Sequence, residues 1–183
     1  MIRLFAVLAA LVCASPLLAQ QASDPQNTIL LDTKHGQVVI RLRADLAPKH
    51  AERIKTLTRE KFYDNVPFHR VIAGFMAQTG DGQRGDGTGK SKYADLPAEF
   101  SSVPFKRGIV GMARRGDSVN SANSQFFIMV ADNSSLNNQY TVIGEVVSGM
   151  DAVDKIKKGS AAANGAVTDP DRILRMQVAA DKR

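Results

Sequence analysis

The sequence predicts a mostly β domain, a barrel of short strands accompanied by two helices. Short apolar runs recur at regular spacing between turn-rich connections, and only two stretches read as helical. Hydrophobic residues make up 44% of the 183. That is enough to fill the core of one domain of about 160 residues once an N-terminal leader is set aside, and it argues against disorder.

Residues 1–19 read as a secretory signal peptide. Arg3 supplies the positive start, and the apolar run at 4–12 is too short to span a bilayer. Ala19 before Gln20 is the expected cleavage point, although Leu17 is larger than the residue usually found there. The single cysteine, Cys13, lies inside this leader, and Val12 before it is not the small residue that lipidation wants. The expectation is an exported chain with no stable membrane insertion and no need of a disulfide. Residues 20–27 would be a short linker and 28–183 the domain.

The elements follow in order. Residues 28–32 and 37–42 are apolar-rich runs separated by Thr33-Lys34-His35-Gly36, a hairpin candidate. Pro48 opens a helix whose Ala47, Ala51, Ile54 and Leu57 make one apolar stripe, with Lys49, Glu52, Arg53 and Lys55 opposite. Two central strands are expected within 66–80. Further strands are expected at 108–113, 125–130 and 140–147. Ser148-x-x-Asp151 reads as a capping box opening a second helix through Val153 and Ile156, which stops at Gly159. Residues 160–170 are small and polar and read as a loose segment, before a last strand at 173–178.

Five glycines fall within 80–89. Gly80-x-Gly82-x-x-Gly85 imitates a dinucleotide-binding fingerprint, but Lys90-Ser91-Lys92-Tyr93 does not open the helix that such a motif needs. Gly89-Lys90-Ser91 resembles the end of a phosphate-binding loop, yet Arg84 stands where its first glycine belongs. A flexible surface loop is the expectation, and nucleotide binding is set aside. The net charge is +6 and the pI about 9.6. The cations are scattered, with no run of five, which indicates a basic soluble surface rather than a nucleic-acid site. His35, His50 and His69 are far apart and show no metal-ligand spacing, so neither metal nor cofactor is expected.

Function concentrates in two stretches. Val66-Pro-Phe-His-Arg-Val-Ile-Ala-Gly-Phe-Met-Ala-Gln-Thr-Gly80 and Asn123-Ser-Gln-Phe-Phe-Ile-Met-Val130 place polar groups among aromatics. Strand alternation puts Phe68, Arg70 and Ile72 on one face, with His69 and Val71 on the other. It likewise groups Gln125, Phe127 and Met129 against Phe126, Ile128 and Val130. A buried strand has little reason to carry Arg or Gln among aromatics unless that face opens onto something.

Phe68-His69-Arg70, then Gly74-Phe75-Met76-Ala77-Gln78, then Ser124-Gln125-Phe126-Phe127-Ile128 closely resemble the signature segments of the cyclophilins, the peptidyl-prolyl cis-trans isomerases. The likeness runs from about residue 28 to about residue 158. It implies an eight-stranded antiparallel β-barrel capped by two α-helices, acting as a monomer without cofactor. It also implies that Arg70 and Gln78 are the catalytic pair. Substrate would be held by Phe75, Met76, Ala113, Arg114, Gln125, Phe127, Leu136 and Tyr140.

The chemistry suits such residues. Rotation of an X-Pro bond faces a barrier of roughly 18–20 kcal/mol because the nitrogen lone pair is conjugated with the carbonyl. Lowering it needs a site that holds the twisted amide better than either planar form. A fixed arginine donor directed at the prolyl nitrogen, which regains its lone pair on twisting, would do so.

Several positions depart from the common family pattern. Ser135 stands where many eukaryotic members carry Trp, which implies weak cyclosporin binding. Tyr140 replaces His, Arg114 replaces Asn, and the chain between Met112 and Gln125 is two residues longer. Expected partners are proline-containing unfolded or flexible polypeptides, and the expected location is a bacterial periplasm. The rival reading is a non-catalytic chaperone or docking module that binds proline peptides.

Overall fold

The computed structural model describes residues 24–182. The expected signal peptide and the first part of the expected linker lie outside them.

Strands β1 (Thr28–Thr33) and β2 (Gly36–Leu42) form the expected antiparallel hairpin, with Ile29, Leu31, Val38, Ile40 and Leu42 buried by alternation. Six more strands follow: β3 (Arg70–Ile72), β4 (Met76–Thr79), β5 (Ile109–Met112), β6 (Phe126–Met129), β7 (Val142–Ser148) and β8 (Arg175–Val178). They join one eight-stranded sheet in the order β3-β4-β6-β5-β7-β2-β1-β8, and every pairing is antiparallel. The sheet curls until its two edges meet. Phe68 N–H donates to the Asp171 carbonyl, Ile173 N–H to Val66 and Asn65 N–H to Ile173, so the chain before β3 is stitched to the chain before β8. No edge is left as a free template for another strand there.

Helix α1 (Pro48–Arg59) lays Ala51, Ile54 and Leu57 on the barrel, as its stripe predicts. Helix α2 (Met150–Lys155) is shorter, and its expected capping box does not form. Ser148 is the last residue of β7, and Gly149, at φ 92°, leads into the helix instead. The reason is steric. A Cβ on residue 149 would sit 2.2 Å from the Gln37 carbonyl, so the chain can pass β2 only as glycine.

Alternation divides the apolar residues between two cores. Phe68, Val71, Ala77, Val110, Met112, Phe126 and Ile128 fill the barrel. Met76, Phe105, Phe127, Met129 and Val142 form a smaller cluster, with Ile72, Phe75, Leu136 and Tyr140 packed against it. Phe68 therefore does not share a face with Arg70 as expected. It precedes the first ladder pair of β3, where strict alternation has not begun, and it turns inward.

The segment at 160–170 is also not loose. Val71 N–H donates to the Gly165 carbonyl, Gly159 N–H to Val71 and Val167 N–H to His69, so this loop is docked along β3. Among the described residues no helix is long and apolar enough to cross a membrane.

Candidate active site

The sheet register assembles the site. Arg70 on β3 pairs with Gln78 on β4, Gln78 pairs with Phe127 on β6, and Phe127 pairs with Gly111 on β5. Residues directly opposite one another in antiparallel strands share a face. The cation, the amide and the aromatic ring therefore stand in one row across the sheet, with Met76 in the next row opposite Ile72 and Met129.

That row borders a slot of about 170 Å³ lined by Arg70, Phe75, Met76, Gln78, Ala113, Arg114, Phe127, Leu136 and Tyr140. These are all the site residues expected from sequence except Gln125. Gln125 lines an adjoining hollow of about 260 Å³, which shares Gln78, Ala113 and Arg114 with the slot. Phe127 stacks on Phe105 with centroids 5.8 Å apart, and Tyr140 meets Phe127 edge-on at 5.7 Å. Glycine at 111 makes this possible, because a Cβ there would lie 2.6 Å from the Phe127 ring and 2.7 Å from Phe105. Phe105 was not among the residues expected at the site. It lies in a segment without strand periodicity, and its role as the support of Phe127 follows only from the fold.

The polar side of the slot is fully connected. Arg70 Nη1 donates to Gln78 Oε1 at 3.2 Å, and Gln78 Nε2 donates to Gln125 Oε1 at 3.0 Å. Gln125 Nε2 in turn donates to the Gly87 and Gly89 carbonyls at 2.9 and 2.8 Å. On its other side Arg70 meets Asn164, donating from Nε to the backbone carbonyl and from Nη2 to Oδ1, both at 3.0 Å. Partial burial lowers the pKa of Arg70, yet arginine stays charged at any physiological pH.

The glycine-rich loop carries order as well. The Asp81 carboxylate accepts from the backbone N–H groups of Gln83, Arg84, Gly87 and Gly89. A loop expected to be flexible is thus tied to one buried acid, and it presents two carbonyls to Gln125.

Arg114 folds over Tyr140, its guanidinium 4.6 Å from the ring centroid, and donates to the Gln139 and Arg115 carbonyls. His69 packs its ring against Gly87, away from the slot.

A family model described as cyclophilin type peptidyl-prolyl cis-trans isomerase/CLD matches residues 28–178. A Brucella suis protein named "Probable peptidyl-prolyl cis-trans isomerase" is 59% identical over 172 residues, covering 88% of this chain and 87% of its own. Peptidyl-prolyl cis-trans isomerase B of Escherichia coli is 38% identical over 145 residues, covering 75% of this chain and 88% of its own. Among solved structures, a cyclophilin from Hirschia baltica superposes with a TM-score of 0.78 at 25% identity, over 87% of this chain and 76% of that one. A Cryptosporidium parvum cyclophilin type isomerase, crystallised in the presence of the dipeptide Ala-Pro, superposes with a TM-score of 0.75 at 25% identity, over 82% and 98%.

Proposed function

The chain belongs to the cyclophilin-type peptidyl-prolyl cis-trans isomerases, and on that premise we propose that Arg70 is the residue that lowers the rotational barrier. The observation that carries this reading is the placement of a held guanidinium on the rim of a slot floored by Met76 and Phe127. The slot is of a size to take a proline ring. Arg70 has five N–H donors, and Gln78 and Asn164 occupy three of them. One donor remains on each terminal nitrogen.

When the X-Pro bond twists, conjugation breaks and the prolyl nitrogen regains a basic lone pair. A guanidinium donor directed there binds the twisted state and gains nothing from the planar ones, which is what raises the rate. No bond to the enzyme forms and no proton leaves the arginine. Phe75, Met76, Phe127, Leu136 and Tyr140 hold the ring, and broad aromatic and thioether contacts suit a small apolar group. Gln78, Gln125, Ala113 and Arg114 bound the groove where the adjoining peptide lies.

The test is the cis-to-trans rate of a short Xaa-Pro peptide with wild type and Arg70→Ala. A fall of about a hundredfold or more in kcat/KM is expected for the folded variant, the scale of losing one preorganised donor. A variant as fast as wild type refutes the role of Arg70.

The substrates in this reading are proline-containing unfolded or flexible segments, and the protein acts as an exported monomer in a bacterial periplasm. The export reading is supported by the composition of residues 1–19. Cell fractionation with N-terminal sequencing tests it. A mature chain starting at Gln20 in the periplasmic fraction is expected, and an uncleaved cytoplasmic chain contradicts it.

A further inference from the structure

We propose that Asn164 is a positioning residue for this isomerase, fixing the plane of the Arg70 guanidinium over the slot; the inference rests on the reading of Arg70 as the donor to the twisted amide.

Strand β3 fixes the Cα of Arg70 but not its head, which sits on a long flexible stem. A single hydrogen bond from Nη1 to Gln78 leaves the group free to pivot about that contact. Asn164 removes the freedom. It offers two acceptors, its backbone carbonyl and its Oδ1, to the adjacent Nε–H and Nη2–H of one edge of the guanidinium, both at 3.0 Å. Two parallel bonds define a plane, and the third, to Gln78, fixes the head within it.

The residue type fits the task. A guanidinium only donates, so its partner must accept, and the carbonyl oxygen of an amide does. Residue 164 also lies at φ 51°, in the left-handed region that Asn enters more readily than most residues.

The acceptor is carried on the same frame as the donor. Gly159 N–H donates to Val71 at 2.9 Å, Val71 N–H to Gly165 at 2.8 Å and Val167 N–H to His69 at 3.0 Å. Gly165, at φ 83°, lets the loop press onto β3, since a Cβ there would be 2.4 Å from the Ile72 side chain. The turn that supplies Asn164 is therefore registered to the two residues flanking Arg70. Thermal displacement of the turn moves donor and acceptor together.

The experiment compares Asn164→Gly, Asn164→Asp and Arg70→Ala with wild type. Rotation of the guanidinium head is read from the NMR signals of the Arg70 nitrogens, and kcat and KM from peptide isomerisation. Asn164→Gly keeps the left-handed backbone and its carbonyl but deletes Oδ1. It is expected to free the Arg70 head and to lower kcat by about tenfold or more, with KM changed by less than about twofold, as for a misplaced reactive group. Asn164→Asp restores an acceptor at the same atom. It is expected to keep the head restricted and to be at least about threefold faster than the glycine variant.

Wild-type kcat in Asn164→Gly overturns the inference, and so does a loss of kcat with the Arg70 signals unchanged. Should the glycine variant lose its fold, Asn164→Asp decides alone, since a freely rotating Arg70 head in that variant contradicts the proposal. Full activity in Arg70→Ala would instead remove the reading of Arg70 on which this one stands.

Discussion

Ser135 sits one residue before Leu136, which lines the slot, and its hydroxyl is turned back to donate to Asn133 Oδ1 at 2.7 Å. The side chain is exposed and small, so it adds little apolar area to the rim. A tryptophan at this point would add an aromatic wall and one N–H donor to the rim. Ser135→Trp is therefore expected to tighten cyclosporin binding by about tenfold, a gain of about 1.4 kcal/mol, while leaving peptide isomerisation within about twofold of wild type. Titration of both proteins with cyclosporin checks this, and equal affinity would show that the rim at 135 does not control it. At the same scale, Arg70 and Phe127 were flagged in the sequence by period-two alternation, which set polar residues among aromatics, while Gln78 was flagged by the resemblance to the cyclophilins alone. Asn164 was not, because nothing in a run of alanines, glycine and asparagine says which strand the loop will lie on.

Helix α1 shows where an element outruns its own sequence. Its stripe of Ala51, Ile54 and Leu57 is local information and was readable. Its start at Pro48 was readable too, but its cap was not, since Ala47 has no side chain to cap with. Glu99, about fifty positions away, does the capping: its carboxylate accepts from the Lys49 and His50 backbone N–H groups at 3.3 and 3.1 Å and from His50 Nδ1 at 2.6 Å. Burial of the Glu99 carboxylate would raise its pKa, but the hydrogen bonds from His50 and the two backbone groups win and lower it. A cap of this kind contributes about 0.5–2 kcal/mol, and its loss also strands a buried imidazole. Glu99→Ala is expected to destabilise the fold by about 1–3 kcal/mol in urea unfolding. An unchanged midpoint would mean that water replaces the cap at no cost. The glycine-rich loop makes the same point: Asp81 organises it, yet the sequence around 80–89 advertises only flexibility.

For the whole molecule, the question is which groups make stability depend on pH near neutrality. Asp171 joins the β1–β2 turn to the chain after α2, accepting from Lys34 at 2.6 Å, His35 at 2.8 Å and the Lys157 backbone. Burial would raise its pKa, but these partners bring it down to about 2. A depressed carboxylate contributes stability above its unfolded pKa and loses it only as pH falls through the folded one. Asp171 therefore keeps its contribution down to about pH 4, close to its ordinary unfolded value. The buried imidazoles behave differently. Burial lowers the pKa of His69 against the pull of Asp81 and Asp86, and it lowers that of His50 against Glu99. In each case the unfolded chain binds the proton first, so stability falls as pH drops below about 6.5, the unfolded histidine value. Neither His69 ring nitrogen has a hydrogen-bond partner, so removing the imidazole breaks no bond. His69→Leu is expected to remain folded and to show a smaller drop in Tm than wild type between about pH 7 and about pH 5. If the two curves run parallel, His69 takes up its proton as easily folded as unfolded, and the acid sensitivity comes from other groups, with buried His50 the next to test.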